Sequence, residues 1–290
     1  METRVAQWSD WHVPAGAPEL TDVIYERKVR LNEGGAVARI TINRPDRLNA
    51  FTSDTLKELM IAVDAANVDP SVGVVVLQGQ GDRAFSSGGD VGWEAERTPA
   101  DWYFDVPPNH VVRFSTQPVI AAVRGYAIGG GNHLAYTCDL TIAADNAVFG
   151  QIGSRHGSPA DGYMVRYLIR VIGAKRAREM WLTRNRIDAQ KALEWGLVNA
   201  VVPLADLDNE VLDWCDRVLE GSPTCVRILK SVFDEEIDEM AGTIRRTAHQ
   251  LAPDFLNSEE AHEAQAAFAE KRPPRFWPDL SAEEIYGSSR

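Results

Sequence analysis

Two glycine clusters are the places where this sequence could do chemistry. The first is Phe85-Ser86-Ser87-Gly88-Gly89-Asp90, and the second is Gly125-Tyr126-Ala127-Ile128-Gly129-Gly130-Gly131-Asn132-His133. Each stands shortly after an apolar run that reads as a buried strand. Glycine at a strand-to-helix junction lets backbone N–H groups come close to a ligand, and the first helical turn adds unpaired donors at the positive end of its dipole. Two such junctions facing each other would stabilise negative charge developing on an oxygen. Spacing alone leaves ordinary turns and a phosphate loop open as alternatives. Neither cluster has the GxxxxGK[ST] spacing, and the GGGN string lacks the GxxG that completes a dinucleotide fingerprint. His133, on the inner face of the helix that the second cluster opens, is a candidate base, with packing or a buried hydrogen bond as the alternative. No two histidines or acids fall at ligand spacing beside a third in this region, so no metal is expected.

The elements that must position these clusters can be read from periodicity. Val23 to Arg27 and Val37 to Ile42 flank an Asn32-Glu33-Gly34-Gly35 turn and predict a hairpin. Thr52 or Ser53 caps a helix whose apolar positions Leu56, Leu59, Met60 and Val63 share one face, ending near Asn67-Val68-Asp69-Pro70. Val74 to Leu77, Val119 to Val123 and Leu140 to Ala144 are apolar throughout, the pattern of strands buried on both faces. Strands and helices alternating in this way predict an α/β body. Beyond Phe149 helices dominate: Ala174 to Leu182, a helix from an Asp188 cap to a Gly196 stop, and one starting at Ser222-Pro223, with a last short strand at Val198 to Val202. Residues 1–20 read as an irregular arm that docks through its tryptophans, 21–203 as the core and 204–290 as a helical C-terminal part.

Composition narrows the function classes. The 290 residues carry 30 Lys+Arg against 42 Asp+Glu, a formal charge of −12, with no sustained basic tract, so nucleic acid is not an expected partner. Cys138, Cys215 and Cys225 show no CxxC or Cys/His ligand spacing, which fits a reducing cytoplasm. No run of 18 apolar residues and no leader-like start point to a membrane or to export.

Ile42-Asn43-Arg44-Pro45 with Leu48-Asn49-Ala50-Phe51, then AFSSGGD, then PVIAAVRGYAIGGGNHLAYTCDLTIAADNAVFGQ, resemble the crotonase (enoyl-CoA hydratase/isomerase) superfamily over about residues 21–272. The resemblance implies a spiral of ββα units with a helical trimerisation region, assembled as a homotrimer or homohexamer. It also implies an acyl-CoA thioester as substrate, with the amides of Gly89 and Gly130 holding its thioester oxygen and stabilising an enolate. Arg44, Ala50, Ser87, Gly88, Asp90 and Lys271 fall where relatives meet coenzyme A. Hydratases of the superfamily use two glutamates, at the positions held here by His133 and Gly153, so the acid/base pair for simple hydration is missing.

Asp139 to Gln151, Gly153, Gly157-Ser158, Gly162-Tyr163 and Lys175 to Trp181 are similar to 1,4-dihydroxy-2-naphthoyl-CoA synthases and 2-ketocyclohexanecarboxyl-CoA hydrolases, which make or break a carbon–carbon bond in cyclic β-keto acyl-CoA substrates. In some of the synthases a bicarbonate takes the place of the carboxylate missing at the Gly153 position. Ser158 matches a substrate-contacting hydroxyl, with a helix cap as the alternative. Two departures stand out: Pro159-Ala160 puts Asp161 one position later than in those relatives, and Leu256 stands where the synthases carry a tyrosine. Asp161 instead lies near the nucleophilic aspartate of 4-chlorobenzoyl-CoA dehalogenases, as a general base or nucleophile, or as a helix cap. Val91 to His110, with Trp93, Trp102, Tyr103, Phe104 and Pro107-Pro108, is expected to cover the acyl pocket, a surface loop being the alternative. The leading expectation is carbon–carbon bond cleavage or formation in a cyclic β-keto acyl-CoA. An enoyl-CoA hydratase or isomerase with an altered acid/base set, and a catalytically silent acyl-CoA binder, are the rivals.

Overall fold

The computed structural model describes residues 6–31, 33–96, 108–157, 162–235 and 257–276. Ser158 and Asp161, the aromatics Trp102, Tyr103 and Phe104, Pro107, and Leu256 lie outside that set. The predicted hairpin is formed by β2 (Val23–Leu31) and β3 (Ala36–Ile42), antiparallel from Val23 opposite Ile42 to Val29 opposite Ala36. A short β1 (Gln7–Trp8) adds to the outer edge of β2, and His12 bridges Arg27. Part of the N-terminal arm is thus laid along a strand edge that would otherwise expose unpaired N–H and C=O groups. Parallel strands β4 (Val72–Gly79), β6 (Val119–Val123), β8 (Leu140–Ala144) and β11 (Ala200–Val202) extend the sheet in the order β1-β2-β3-β4-β6-β8-β11. A second, four-stranded sheet, ordered β10-β9-β7-β5, joins β5 (Ala84–Ser86), β7 (Tyr126–Ile128), β9 (Val148–Gly150) and β10 (Arg186–Asp188). Strand β10 is absent from the sequence reading: three residues between two helices give too little alternation to see.

The central parallel strands β4, β6 and β8 are covered on both faces, which is why they are predominantly apolar. On one face lies α1 (Ser53–Val68), held at its start by a capping box in which Thr52 and Thr55 exchange backbone-to-hydroxyl hydrogen bonds. The other face, lined by Val74, Val76, Ile120 and Ile142, receives Leu207, Val211 and Cys215 of a helix at Leu207–Leu219. That helix, beyond residue 203, packs on the core sheet. The helix over 223–235 is tied to the core by Lys230, which is 3% exposed and donates to Asp139 Oδ1 (3.2 Å) and Oδ2 (3.0 Å), and pairs with Asp234. Its Ile228, Leu229, Val232 and Phe233 remain exposed.

Candidate active site

Strand β5 runs into Ser87-Gly88-Gly89-Asp90 and then α2 (Val91–Glu96). This turn is stitched to the preceding Leu48–Phe51 stretch: Ser87 N–H donates to Leu48 O (3.0 Å), Phe51 N–H to Gly88 O (2.9 Å) and Asp90 N–H to Phe51 O (2.9 Å). In such a parallel bridge the residue opposite Phe51, Gly89, directs its own N–H away from the partner. The second junction, β7 to the helix at Gly130–Thr137 (α4; α3 being Pro108–Arg113), makes Gly130 the first helical residue. Its N–H has no intrahelical acceptor and lies at the positive end of the dipole.

The two junctions are in contact. Gly88 has φ +97°, and a Cβ added there would lie 2.9 Å from Ile128 O and 3.0 Å from Gly130 N, so both conformation and space require glycine. A Cβ at Gly130 would lie 2.4 Å from Phe51 Cζ and 3.5 Å from Gly88 Cα. Gly89 and Gly130 are partly exposed, whereas Gly88 and Gly131 beside them are buried. Among the described residues neither the Gly89 nor the Gly130 amide has a backbone partner. Adjoining, accessible N–H groups fixed by strands are the arrangement that stabilises an oxyanion.

Of the residues implied to meet coenzyme A, Arg44, Ala50, Ser87, Gly88 and Asp90 cluster around the first junction. Arg44 is a brace within it. Its Nη1 donates to Ala50 O (2.5 Å), its Nη2 lies 3.3 Å from Asp90 Oδ2, and its Nε lies 3.4 Å from Asp22 Oδ2. Asp90 in turn accepts from Gly92 N (3.1 Å) and Trp93 N (3.4 Å), capping α2. Lys271 follows the helix at Glu259–Ala269, is exposed and has φ +54°. That helix returns to the core: a Cβ at Gly157 would lie 2.9 Å from Ala264 Cβ, and the rings of His156 and Phe268 are 4.8 Å apart.

His133 lies one turn below Gly130, buried, with ring centroids 5.7 Å from Tyr136 and 5.6 Å from Trp181. Burial pushes its imidazole down to about 4, and the adjacent Gln151 side chain offsets part of that shift. The contact is close but not a completed hydrogen bond, since His133 Nε2 and both Gln151 amide atoms are buried without a partner. His133 is therefore a neutral hydrogen-bonding group near neutral pH and a weak base. Gly153 opens a short 3-10 turn (Gly153–Arg155) and supplies no carboxylate.

Sequence reasoning missed Glu94. A Cβ on Gly89 would lie 2.1 Å from Glu94 Oε1 and 2.7 Å from its Cδ, so this carboxylate rests against the Cα of Gly89. The signal was available in the start of α2: a side chain one turn in from the Asp90 cap can fold back over the residue before it.

A family model for enoyl-CoA hydratase/isomerase matches residues 32–278. The chain belongs to that family. Its members in the crotonase superfamily act on CoA thioesters, and the curled sheet with covering helices is their fold. Similar solved structures include a carnitinyl-CoA hydratase from Mycobacterium avium, 34% identical, covering 88% of this chain and 98% of that one with a TM-score of 0.75. An enoyl-CoA hydratase subunit from Geobacillus kaustophilus HTA426 is 34% identical over 90% of this chain and 99% of its own, at a TM-score of 0.68. An enoyl-CoA hydratase from Mycobacterium avium subsp. paratuberculosis K-10 is 29% identical over 90% and 100%, at 0.73.

Proposed function

We propose that this enzyme binds an acyl-CoA thioester and makes or breaks a carbon–carbon bond in a cyclic β-keto acyl group by way of a thioester enolate. In the cleaving direction, water adds to the β-keto carbon and gives up a proton. The bond to the α-carbon then breaks, its electron pair passes into the thioester as an enolate, and the α-carbon takes up a proton. The ring opens to a carboxyacyl-CoA, with one water consumed. Gly89 and Gly130 hold the enolate oxygen. Glu94, against Gly89, and Asp161 are the carboxylates to which we assign proton transfer, with Ser158 orienting the substrate and Arg44 and Asp90 fixing the first junction. Coenzyme A would lie along Ala50, Ser87 and Gly88 and reach Lys271.

One observation carries this reading: the two glycine junctions touch, and the resemblance puts His133, buried, and Gly153 where hydratases have their two glutamates. Hydration with a different acid/base set is the second reading, favoured by the 34% identity to a carnitinyl-CoA hydratase. Parallel assays with 2-ketocyclohexanecarboxyl-CoA and crotonyl-CoA separate them. Opening of the keto ester with at most slow hydration of crotonyl-CoA supports the first; the reverse preference replaces it with the second. Binding of both without turnover makes the chain a silent binder.

A further inference from the structure

Phe51 touches both glycine junctions, each with a different part of itself. Its backbone belongs to the first: Phe51 N–H donates to Gly88 O and Phe51 O accepts from Asp90 N–H, both at 2.9 Å, so the residue is laced to either side of Gly89. Its ring belongs to the second. A Cβ built on Gly130 would run into the ring tip, Cζ, and would lie 3.2 Å from Cε1, so the end of the ring stands against the Gly130 Cα.

Neither the ring nor the chain that carries it has room to yield. Phe51 is 3% exposed and belongs to the main core. Two residues earlier, the buried Asn49 donates from Nδ2 to Ala84 O (2.7 Å) and Gln80 O (3.1 Å), and accepts at Oδ1 from Arg44 N–H (3.1 Å). Leu48 and Asn49 both have left-handed backbone, with φ +51° and +54°, a conformation that residues with a side chain keep where the surroundings enforce it. On the other side, Thr52 caps α1. The two junctions also meet through backbone, Gly88 against Ile128 and Gly130, and Ser86 against Gly131, which limits how closely they approach. The ring limits how far the Gly130 end can lean into the space that Phe51 fills. An oxyanion gains from two amides only when both reach its position, and a misplacement of about 1 Å costs on the order of 100-fold in rate.

We propose that Phe51 is a positioning residue: its ring sets the separation of the Gly89 and Gly130 amides. This rests on the oxyanion reading above and names the side chain through which the first junction fixes the second. The test uses acetoacetyl-CoA, whose C2 can lose a proton to solvent; the electron pair then spreads onto the thioester oxygen, and the enolate absorbs in the near ultraviolet. Two donors on that oxygen favour the enolate, so a pH titration of the complex by absorbance reads the pair of amides directly. The wild type is expected to make enolate formation about 100-fold more favourable for bound than for free acetoacetyl-CoA, and Phe51→Leu to lose about 10-fold of that, with the Kd of coenzyme A itself within about twofold. Gly130→Ala should lose at least as much alone, but less than about twofold when added to Phe51→Leu, because the shorter side chain leaves space for the methyl group. Phe51→Met, which exchanges a rigid tip for a flexible one, gives the same comparison if Phe51→Leu does not fold. Full enolate formation in the variant makes the ring a core filler only and overturns the proposal. Loss of coenzyme A affinity in step with the enolate, or full additivity of the two substitutions, also overturns it. A wild type that does not favour the enolate, or does not bind acetoacetyl-CoA, ends the oxyanion reading itself and the role of Phe51 with it.

Discussion

At Gly130 an added methyl group meets the ring tip of Phe51 at 2.4 Å, and the amide of the same residue is the one proposed to hold the thioester oxygen. Gly130→Ala is therefore expected to move the first-turn amide and lower kcat about 100-fold or more, with circular dichroism unchanged. An unaltered kcat would remove this amide from the mechanism. Glu94→Gln keeps size and removes the charge; if the carboxylate transfers a proton, kcat falls by roughly 100-fold or more and one limb of the pH–rate profile disappears. The buried imidazole of His133 has a different pH signature. Its folded pKa of about 4 lies below its ordinary 6.5, so the unfolded chain takes up a proton first. The stability associated with the neutral ring is complete above about pH 6.5 and is lost as pH falls toward 4, by roughly 3 kcal/mol over that window. In His133→Phe this part of the pH dependence should vanish, as read from urea unfolding at pH 7 and pH 4.5.

At the scale of elements, Lys230 is the pin between the helix over 223–235 and the start of β8. Its ammonium meets Asp139 and Asp234, and Asp139 also accepts from Val119 N–H (2.7 Å). Burial raises the carboxyl pKa of Asp234, an effect that Lys230 and then Arg113 oppose. Lys230→Met leaves Asp234 with Arg113 alone and Asp139 with the Val119 N–H, and a loss of about 3 kcal/mol in denaturant unfolding at pH 7 is expected. The same elements show what the sequence could reveal. The hairpin, the Thr52 cap, the buried runs of β4, β6 and β8, and the Asp188-to-Gly196 helix were legible because period and caps agree there. Strands β5, β7 and β10 were not, being three residues each and stabilised by pairing with distant chain rather than by local pattern. Of the site, the glycine junctions were visible as motifs. Glu94 and the partnerless Gln151 and Trp181 were not, because what marks them is contact across elements and the lack of a hydrogen bond, neither of which is written along the chain.

On the scale of the whole molecule, the helix over 223–235 presents Ile228, Leu229, Val232 and Phe233, between 56% and 71% exposed, as an apolar face with no cover among the described residues. We propose this face as the contact by which copies would associate into the trimer or hexamer that the family resemblance implies. Light scattering should give three or six times 32.0 kDa, and Phe233→Glu should shift the mass toward one copy; a wild-type mass of one copy at micromolar concentration would contradict it. The central claim, however, is that thioester charge is held between Gly89 and Gly130, and a crystal structure with acetoacetyl-CoA tests it most directly. The account predicts the thioester oxygen about 2.7–3.1 Å from both amide nitrogens. A thioester oxygen out of reach of either amide, with CoA bound elsewhere on the surface, would contradict it.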